Sequence, residues 1–280
     1  MSNFRELGRF REVGRDVFVL RYPVLDVNVT LVVGARVALV VDTLSTEAQA
    51  AELLAEVRRV STAPLLVANT HHHFDHCFGN ARFAESGAAI WAHEEAAVLL
   101  QQRGEALRKM WYEQWRSSEP ALAEGLVAAR LCPPDRPVRL ETTVDLGGRS
   151  VILRHFGRGH TAGDLVIVVP DADVVVTGDL VEEGGPPQFE DAYPLDWPDT
   201  LAALLARTGE RTAFVPGHGA VVDRGYVLAQ HERLSTLDWL IRDGDADGAP
   251  AERVAARSPF GPEASLIAVR RGYDQLAGRG

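Results

Sequence analysis

Four residues in a six-residue stretch have the side-chain types and the spacing of a metal site. The segment 70–76 reads THHHFDH and contains the pattern His-x-His-x-Asp-His, formed by His71, His73, Asp75 and His76. Side chains alternate along an extended backbone, so His71, His73 and Asp75 project to one side, and a bend after Asp75 would bring in His76. Imidazole and carboxylate are standard ligands of zinc and of some neighbouring transition metals. The segment therefore predicts a metal site, against the alternative of a polar loop that binds nothing.

Three further candidate ligands stand beside glycines at the ends of predicted strands. His160 follows Gly-Arg-Gly before one valine-rich run, Asp179 ends Thr-Gly-Asp after another, and His218 lies within Pro-Gly-His-Gly after a third. Glycine lets the backbone approach a compact site because it has no side chain to obstruct the approach. Each of the three could by itself be an ordinary loop residue. Their order behind the first segment favours one shared site.

The elements that must position these residues can be predicted from local patterns. Strands are predicted at 17–20, 29–33, 37–41, 65–68, 88–92, 138–146, 151–155, 165–169, 174–177 and 213–215. Helices are predicted after Thr46, which forms a capping-box pattern with Gln49, and at 201–205, 226–241 and 263–276, with an inserted helical region around 94–130. Two strand-rich halves, each followed by helices, predict an α+β fold with two sheets face to face and helices outside.

Length, composition and charge limit the class of protein. The chain has 280 residues, 46% of them hydrophobic and 24% charged, so we expect a single globular domain over 1–280. A formal net charge of −10 disfavours nucleic acid, because polyphosphates bind to basic tracks. Residues 1–10 are polar, without the apolar stretch of a secretory signal, and no run reaches transmembrane length. Two cysteines, Cys77 and Cys132, are too few for a disulfide framework, so we expect a cytoplasmic protein with no membrane partner.

These motifs together resemble the metallo-β-lactamase superfamily, in the branch that includes glyoxalase II and many single-domain bacterial hydrolases. The resemblance covers roughly residues 17–220, and the six-residue motif is highly specific. It implies a four-layer αββα sandwich. By position, it implies a first metal bound by His71, His73 and His160, a second bound by Asp75, His76 and His218, and Asp179 as the bridge between them. The implied cofactor is two zinc ions per chain, with iron or manganese as alternatives.

Asp42, at the end of the predicted strand 37–41, matches an acidic position of the same family. The resemblance implies that Asp42 orients a histidine ligand. The alternative is a cap near the helix that begins after Thr46.

The resemblance also implies the chemistry. Two dications outweigh the carboxylates of Asp75 and Asp179, so the site would stabilise negative charge as it develops. Metal coordination lowers the pKa of water from about 16 to about 7, and Asp75 is the best-placed group to accept or relay a proton. We therefore expect hydrolysis of an ester, thioester or lactone carbonyl of a small molecule. The natural substrate, the metal loaded in the cell and the assembly state, a homodimer included, stay open.

Two other functions are compatible with the same residues. One is a mononuclear-iron enzyme that resembles persulfide dioxygenases, and the other is a metal-stabilised binding protein without turnover. Secreted β-lactamases are disfavoured because we find no export signal.

The remaining histidines and aromatic residues have ordinary structural interpretations. His72, His155 and His231 are predicted to lie outside the site, and His93 is expected to pack or to cap a helix. Met110, Trp111, Tyr112 and Trp115 are expected to pack in the core in preference to covering the metals. The segment 183–198 is either a specificity loop or a surface loop.

Overall fold

Runs of β-branched and leucine residues form two sheets in the computed structural model, which describes residues 8–279. The first sheet has seven strands in chain order. They are β1 Arg11–Gly14, β2 Val17–Tyr22, β3 Val27–Val33, β4 Ala38–Val41, β5 Leu65–Ala68, β6 Ile90–His93 and β7 Arg136–Val138. Neighbours from β1 to β4 pair antiparallel, and neighbours from β4 to β7 pair parallel.

The second sheet has five strands in the order β12-β11-β10-β9-β8. They are β8 Glu141–Asp145, β9 Ser150–Arg154, β10 Val166–Val169, β11 Val174–Gly178 and β12 Ala213–Pro216. Pairing is antiparallel from β8 to β11 and parallel between β11 and β12. The prediction of one continuous strand over 138–146 was wrong. This stretch contains the end of β7 and the whole of β8, and the chain crosses from the first sheet to the second between them. The crossing does not interrupt the β-prone pattern that the prediction relied on.

Strand alternation divides the apolar side chains between two core layers. In β4, Leu39 and Val41 contact the second sheet, whereas Ala38 and Val40 face helices on the other side. Residues of the second sheet such as Ile167 complete the layer between the sheets. The two sheets therefore pack face to face, with the core between them.

Helices cover the outer faces of both sheets. They are α1 Glu47–Val60, α2 Phe74–Cys77, α3 Asn80–Ala84, α4 Glu94–Trp115, α5 Pro120–Ala128, α6 Trp197–Leu205, α7 Arg224–Ala246, α8 Ala251–Ala255 and α9 Pro262–Leu276. Leu53 of α1 and Phe83 of α3 pack against the first sheet. Leu204 of α6 and Leu234 of α7 pack in the core cluster that covers the second. The predicted αββα sandwich is confirmed.

The predicted helical region around 94–130 is the pair α4 and α5. Both helices pack on α2 through a separate apolar cluster that includes Phe74, Leu100 and Leu126. The predicted cap of α1 is present too, since Thr46 Oγ1 accepts a hydrogen bond from Gln49 N at 3.2 Å. The pair α4 and α5 thus lies next to the segment that carries the first histidines.

Three further expectations concern a membrane-spanning helix, an export signal and the number of domains. No helix within 8–279 is long and apolar enough to cross a membrane. Residues 1–7, on which the expectation of no export signal partly rests, lie outside the described residues. One domain over 1–280 stays a prediction.

The layer between the sheets should dominate stability. Leu39→Ala removes a side chain that is 0% exposed, and we expect it to lower the free energy of unfolding by about 2–5 kcal/mol. Leu140→Ala is the matched control, because Leu140 is 68% exposed and its loss should cost less than about 0.5 kcal/mol. Urea unfolding followed by circular dichroism measures both values. Equal losses in the two variants would contradict this assignment of the core.

Candidate metal centre

All the predicted ligand residues meet at one edge of the sandwich. His71, His73, Asp75 and His76 follow the carboxyl end of β5, with Asp75 and His76 in the short helix α2. His160 precedes β10, Asp179 directly follows β11, and His218 follows β12. The carboxyl ends of β5, β11 and β12 thus bring residues from both sheets to one place, the usual location for a site in such sheets.

The first group of potential ligand atoms comes from His71, His73, His160 and Asp179. These atoms all lie within 4.8 Å of one another. His160 Nε2 lies 3.0 Å from His73 Nδ1 and 3.4 Å from Asp179 Oδ2, and His71 Nε2 lies 3.7 Å from the same oxygen. Three imidazole nitrogens and a carboxylate therefore converge from three different segments.

The second group consists of Asp75, His76 and His218. His218 Nε2 lies 3.4 Å from Asp75 Oδ2 and 3.3 Å from His76 Nε2. Asp179 also reaches this group, with Oδ1 at 3.3 Å from His76 Nε2 and Oδ2 at 3.4 Å from His218 Nε2. One carboxylate thus contacts imidazoles of both groups.

Hydrogen bonds outside the groups turn one ring nitrogen of each of three histidines toward the centre of the cluster. His76 Nδ1 donates to Asp42 Oδ2 and His218 Nδ1 donates to the Leu25 carbonyl, both at 2.8 Å. Thr70 Oγ1 donates to Asp42 at 2.8 Å, so it accepts from His71 Nδ1 at 3.0 Å. Because one ring nitrogen of His71, His76 and His218 donates outward, the other faces the cluster and is the atom that would bind a metal once it has lost its proton.

Asp42 is the residue on which two of these orientations depend. Its buried carboxylate also accepts from Thr70 N at 2.8 Å, and its backbone has a φ of 68°, a conformation that aspartate tolerates better than most residues. Thr46, and not Asp42, caps α1. Of the two interpretations of Asp42, the contacts favour the orientation of His76.

A cation fits the donor set. Among the described residues, the buried atoms His71 Nε2 and Asp179 Oδ1 have no hydrogen-bond partner. Unsatisfied buried polar atoms are rare and cost free energy. Close approaches between imidazole nitrogens, at 3.0 and 3.3 Å, likewise require a shared proton or cation. A metal bound by imidazole and carboxylate would satisfy all these atoms.

The protonation of the cluster reflects its buried carboxylates. Burial lowers the pKa of His76, but Asp179, Asp75 and Asp42 outweigh it and raise that pKa to about 9. Burial likewise lowers the pKa of His73, and Asp191 raises it to about 9, whereas burial lowers the pKa of His160 to about 4. A metal that binds here must displace protons from His73 and His76.

Asp191 contacts the cluster and was not predicted. Asp191 Oδ1 accepts from His73 Nε2 at 3.1 Å, which leaves His73 Nδ1 facing His160, and Asp191 Oδ2 lies 3.1 Å from His72 Nε2. Arg271 of α9 holds the surrounding chain by donating to the Ala192 carbonyl at 2.5 Å. The expectation that His72 lies outside the site was wrong, because His72 forms a third group of potential ligands with His73 and Asp191. The segment 183–198 therefore does more than cover the surface.

Asn28 of β3 holds the loop that carries His218. Asn28 Nδ2 donates to the carbonyls of Pro216 and Gly219, both at 2.9 Å, and Asn28 N donates to the Gly217 carbonyl at 2.7 Å. The first sheet thus fixes a loop of the second. A Cβ at Gly217 would lie 1.7 Å from Asp179 Oδ1, so only glycine allows this approach.

A cavity of about 850 Å³ opens over the two groups. Its walls include Asp75, His160, Asp179 and His218, one face of α4, and the segment that follows Asp179. The expectation of pure core packing on α4 was partly wrong, because Trp111 packs on Phe74 and Phe78 yet also lines the cavity with Met110 and Trp115. The volume suits a small molecule.

Comparisons with known proteins agree with this geometry. The family model described as "Metallo-beta-lactamase superfamily" matches residues 22–218, which include every residue of the two groups. The chain belongs to the metallo-β-lactamase superfamily.

Two curated relatives of this superfamily carry different names. An acyl-coenzyme A thioesterase, MBLAC2 of Gallus gallus, is 32% identical over 167 residues, which are 56% of this chain and 58% of the relative. A metallo-beta-lactamase type 2 of Bacillus cereus is 28% identical over 174 residues, 61% of this chain and 56% of the relative. The chain thus spans under two thirds of both relatives.

One solved structure resembles nearly the whole chain in fold. The sec-alkylsulfatase Pisa1 from Pseudomonas sp. superimposes with a TM-score of 0.77 at 17% identity, covering 97% of this chain and 50% of its own. At this identity the likeness concerns the fold alone.

Asp42 should control metal affinity through His76. Asp42→Asn replaces the carboxylate that accepts from His76 Nδ1 by a neutral amide, and we expect about 10- to 100-fold weaker zinc binding. Competition with a chromophoric chelator measures the affinity. Asp173→Asn is the matched control, since Asp173 also has a positive φ, of 54°, but bonds Thr212. Unchanged affinity in Asp42→Asn would contradict the orienting role.

His93 should make the metal-free fold sensitive to acid. Its Nδ1 accepts from Glu95 N at the start of α4, its Nε2 donates to the Arg139 carbonyl, and its ring stacks on His155 with centroids 4.0 Å apart. Burial, followed by His155, lowers the pKa of His93 to about 4, from an ordinary value of 6.5.

Between these two pH values the unfolded chain binds the extra proton. This contribution to stability is therefore complete above about pH 6.5 and is lost as the pH falls through about 4. We expect His93→Gln to flatten the dependence of the unfolding free energy on pH in this window, as measured by urea unfolding. His231→Gln, on α7, should retain the slope of the parent. A parent-like slope in His93→Gln would contradict the assignment.

Proposed function

We propose that this protein is a hydrolase with a binuclear metal centre, with zinc as the expected metal and iron or manganese as alternatives. In this proposal His71, His73 and His160 hold one ion, Asp75, His76 and His218 hold the other, and Asp179 bridges them. The observation that carries the proposal is the position of the Asp179 carboxylate, within 3.3–3.7 Å of imidazoles in both groups. Two groups of donors exceed what one tetrahedral zinc ion can use.

Such a centre supplies an activated water molecule and a positive charge that polarises a carbonyl oxygen. The chain's own residues supply the rest. Asp75 lines the cavity and has Oδ2 at 3.4 Å from His218, so it is placed to accept a proton near the reacting carbonyl and to pass it to the leaving group. The buried imidazoles and their outward hydrogen bonds hold the ligands rigidly, which keeps the geometry ready for reaction.

We propose an ester, thioester or lactone of a small molecule as the substrate class. The cavity volume fits a small molecule, and the net charge of −10 disfavours nucleic acid. The thioesterase name of one relative and the β-lactamase name of another support cleavage of an acyl bond. Both cysteines are free, which fits the reducing cytoplasm that we expect for this protein. For the assembly state, a homodimer stays a prediction.

Metal analysis joined to a substrate panel tests the proposal. Protein purified without chelator should contain close to two metal equivalents and hydrolyse at least one of an ester, a thioester and a lactone. Chelation should abolish this activity, and added zinc should restore it. A stable single equivalent, unchanged by added zinc, would contradict the binuclear centre. Iron together with oxygen consumption would contradict hydrolysis itself.

A further inference from the structure

The carboxyl-terminal half of α4 gives the cavity an apolar wall. Its members line the cavity and recur at helical spacing, so they share one face of the helix: Leu107, Met110, Trp111 and Trp115. We call this set the α4 wall. Met110 is 51% exposed, and Leu107 and Trp115 are half-buried, so the wall keeps apolar surface in contact with solvent. Covering that surface with an apolar part of a ligand would favour binding.

Aromatic contacts fix the α4 wall beside the first metal group. The Trp111 ring lies 5.9 Å from the ring of His73 and 5.2 Å from the ring of Phe74, which is the next residue along the chain. Trp115 also packs on Phe74, with ring centroids 6.2 Å apart. The wall therefore adjoins a candidate metal ligand, and it is in place before a substrate binds.

Other lining residues of the cavity suit polar groups. Glu95, Glu183 and Glu190 line it with carboxylates, and none of the three is buried. Charged groups keep their hydration, so a hydrocarbon chain gains little by packing against them. Gln114 is a polar lining residue within the span of the α4 wall. The α4 wall is therefore a favourable surface for an apolar chain next to the metal groups.

We propose that the substrate carries an unbranched acyl chain of medium length, which packs along the α4 wall. From Leu107 to Trp115 the helix rises about 12 Å, which is long enough to contact a chain of several methylene groups. Each methylene that is fully buried improves binding by up to about fourfold, so the wall selects longer acyl chains over acetyl. This inference rests on the proposed function and narrows its substrate class.

The proposed reaction assigns the chain to the acyl side of the bond. Water's oxygen bonds to the carbonyl carbon, the bond from that carbon to the leaving sulfur or oxygen breaks, and Asp75 passes a proton to the leaving atom. The leaving group therefore belongs beside Asp75 and His218, in the second group. The α4 wall adjoins His73 of the first group, so it is left to the acyl chain.

A series of N-acetylcysteamine thioesters tests the inference on the full, metal-loaded chain. The S-acetyl, S-butanoyl, S-hexanoyl and S-octanoyl thioesters share one leaving group and differ only in acyl length. We expect kcat/KM, measured from release of the thiol, to rise at least about thirtyfold from acetyl to octanoyl, mainly through KM. Met110→Gln makes the exposed part of the wall polar and should reduce this ratio at least about threefold. Leu107→Gln combined with Met110→Gln should reduce it at least about tenfold.

Two controls separate the α4 wall from general effects of apolar chains. Val98 also lies on α4 and is 45% exposed, but it is not part of the cavity lining, so Val98→Gln should retain the parent's ratio. Acetate esters of ethanol and octanol move the chain to the leaving group. Their kcat/KM values should differ by less than about threefold, because that chain points away from the wall.

Several outcomes would overturn the inference and leave the proposed function intact. One is hydrolysis by the parent with an octanoyl-to-acetyl ratio below about threefold. Another is a parent-like ratio in Met110→Gln, which changes an exposed residue and should fold normally whether or not the double variant does. The same loss in Val98→Gln, or a preference for octyl acetate as large as that for the octanoyl thioester, would also overturn it. Hydrolysis of no thioester, ester or lactone overturns the proposed function as well.

Discussion

The structure depends on burying the Asp179 carboxylate among imidazoles where the two sheets meet. A lone buried carboxylate would lose several kcal/mol of hydration free energy, so its surroundings must supply opposite charge or coordination. His76 and His218 of one group and His71 and His160 of the other lie within 3.3–3.7 Å of it. The Asp179 carboxylate can lie this close to the backbone of residue 217 only because that residue is glycine, since a Cβ there would overlap the carboxylate.

The constraint reaches beyond the ligands to the two halves of the chain. Asp42 at the end of β4 orients His76, and Asn28 of β3 holds the loop that carries His218. Residues of the first sheet thus control groups that belong to both sheets. Packed sheets are rigid, so a small displacement of either sheet would shift the ligand side chains relative to one another. Metal binding and the docking of the two sheets are therefore expected to stabilise one another.

Other residues of the cavity lie outside this rigid frame. The superfamily fold is shared with relatives and structures named as a thioesterase, a β-lactamase and an alkylsulfatase, so the fold by itself does not select a reaction. In this chain the cavity walls include α4 and the segment after Asp179, to which Asp191 belongs. We propose that these walls select the small molecule that reaches the metal groups.

The sequence by itself determined the local part of the site. The His-x-His-x-Asp-His spacing and the glycines beside His160, Asp179 and His218 could be recognised because each depends on a few neighbouring residues. Strand and helix patterns predicted two sheets with helices outside for the same reason, and the family resemblance implied the αββα order of the layers. Only the tertiary structure decided that β7 and β8 belong to different sheets, that Asp42 bonds His76, and that Asp191 bonds His73. The contact between His73 and Asp191 joins residues 118 positions apart, and Asp191 lies in an irregular segment without periodicity. Such contacts depend on where the chain returns in space, which no short stretch of sequence specifies.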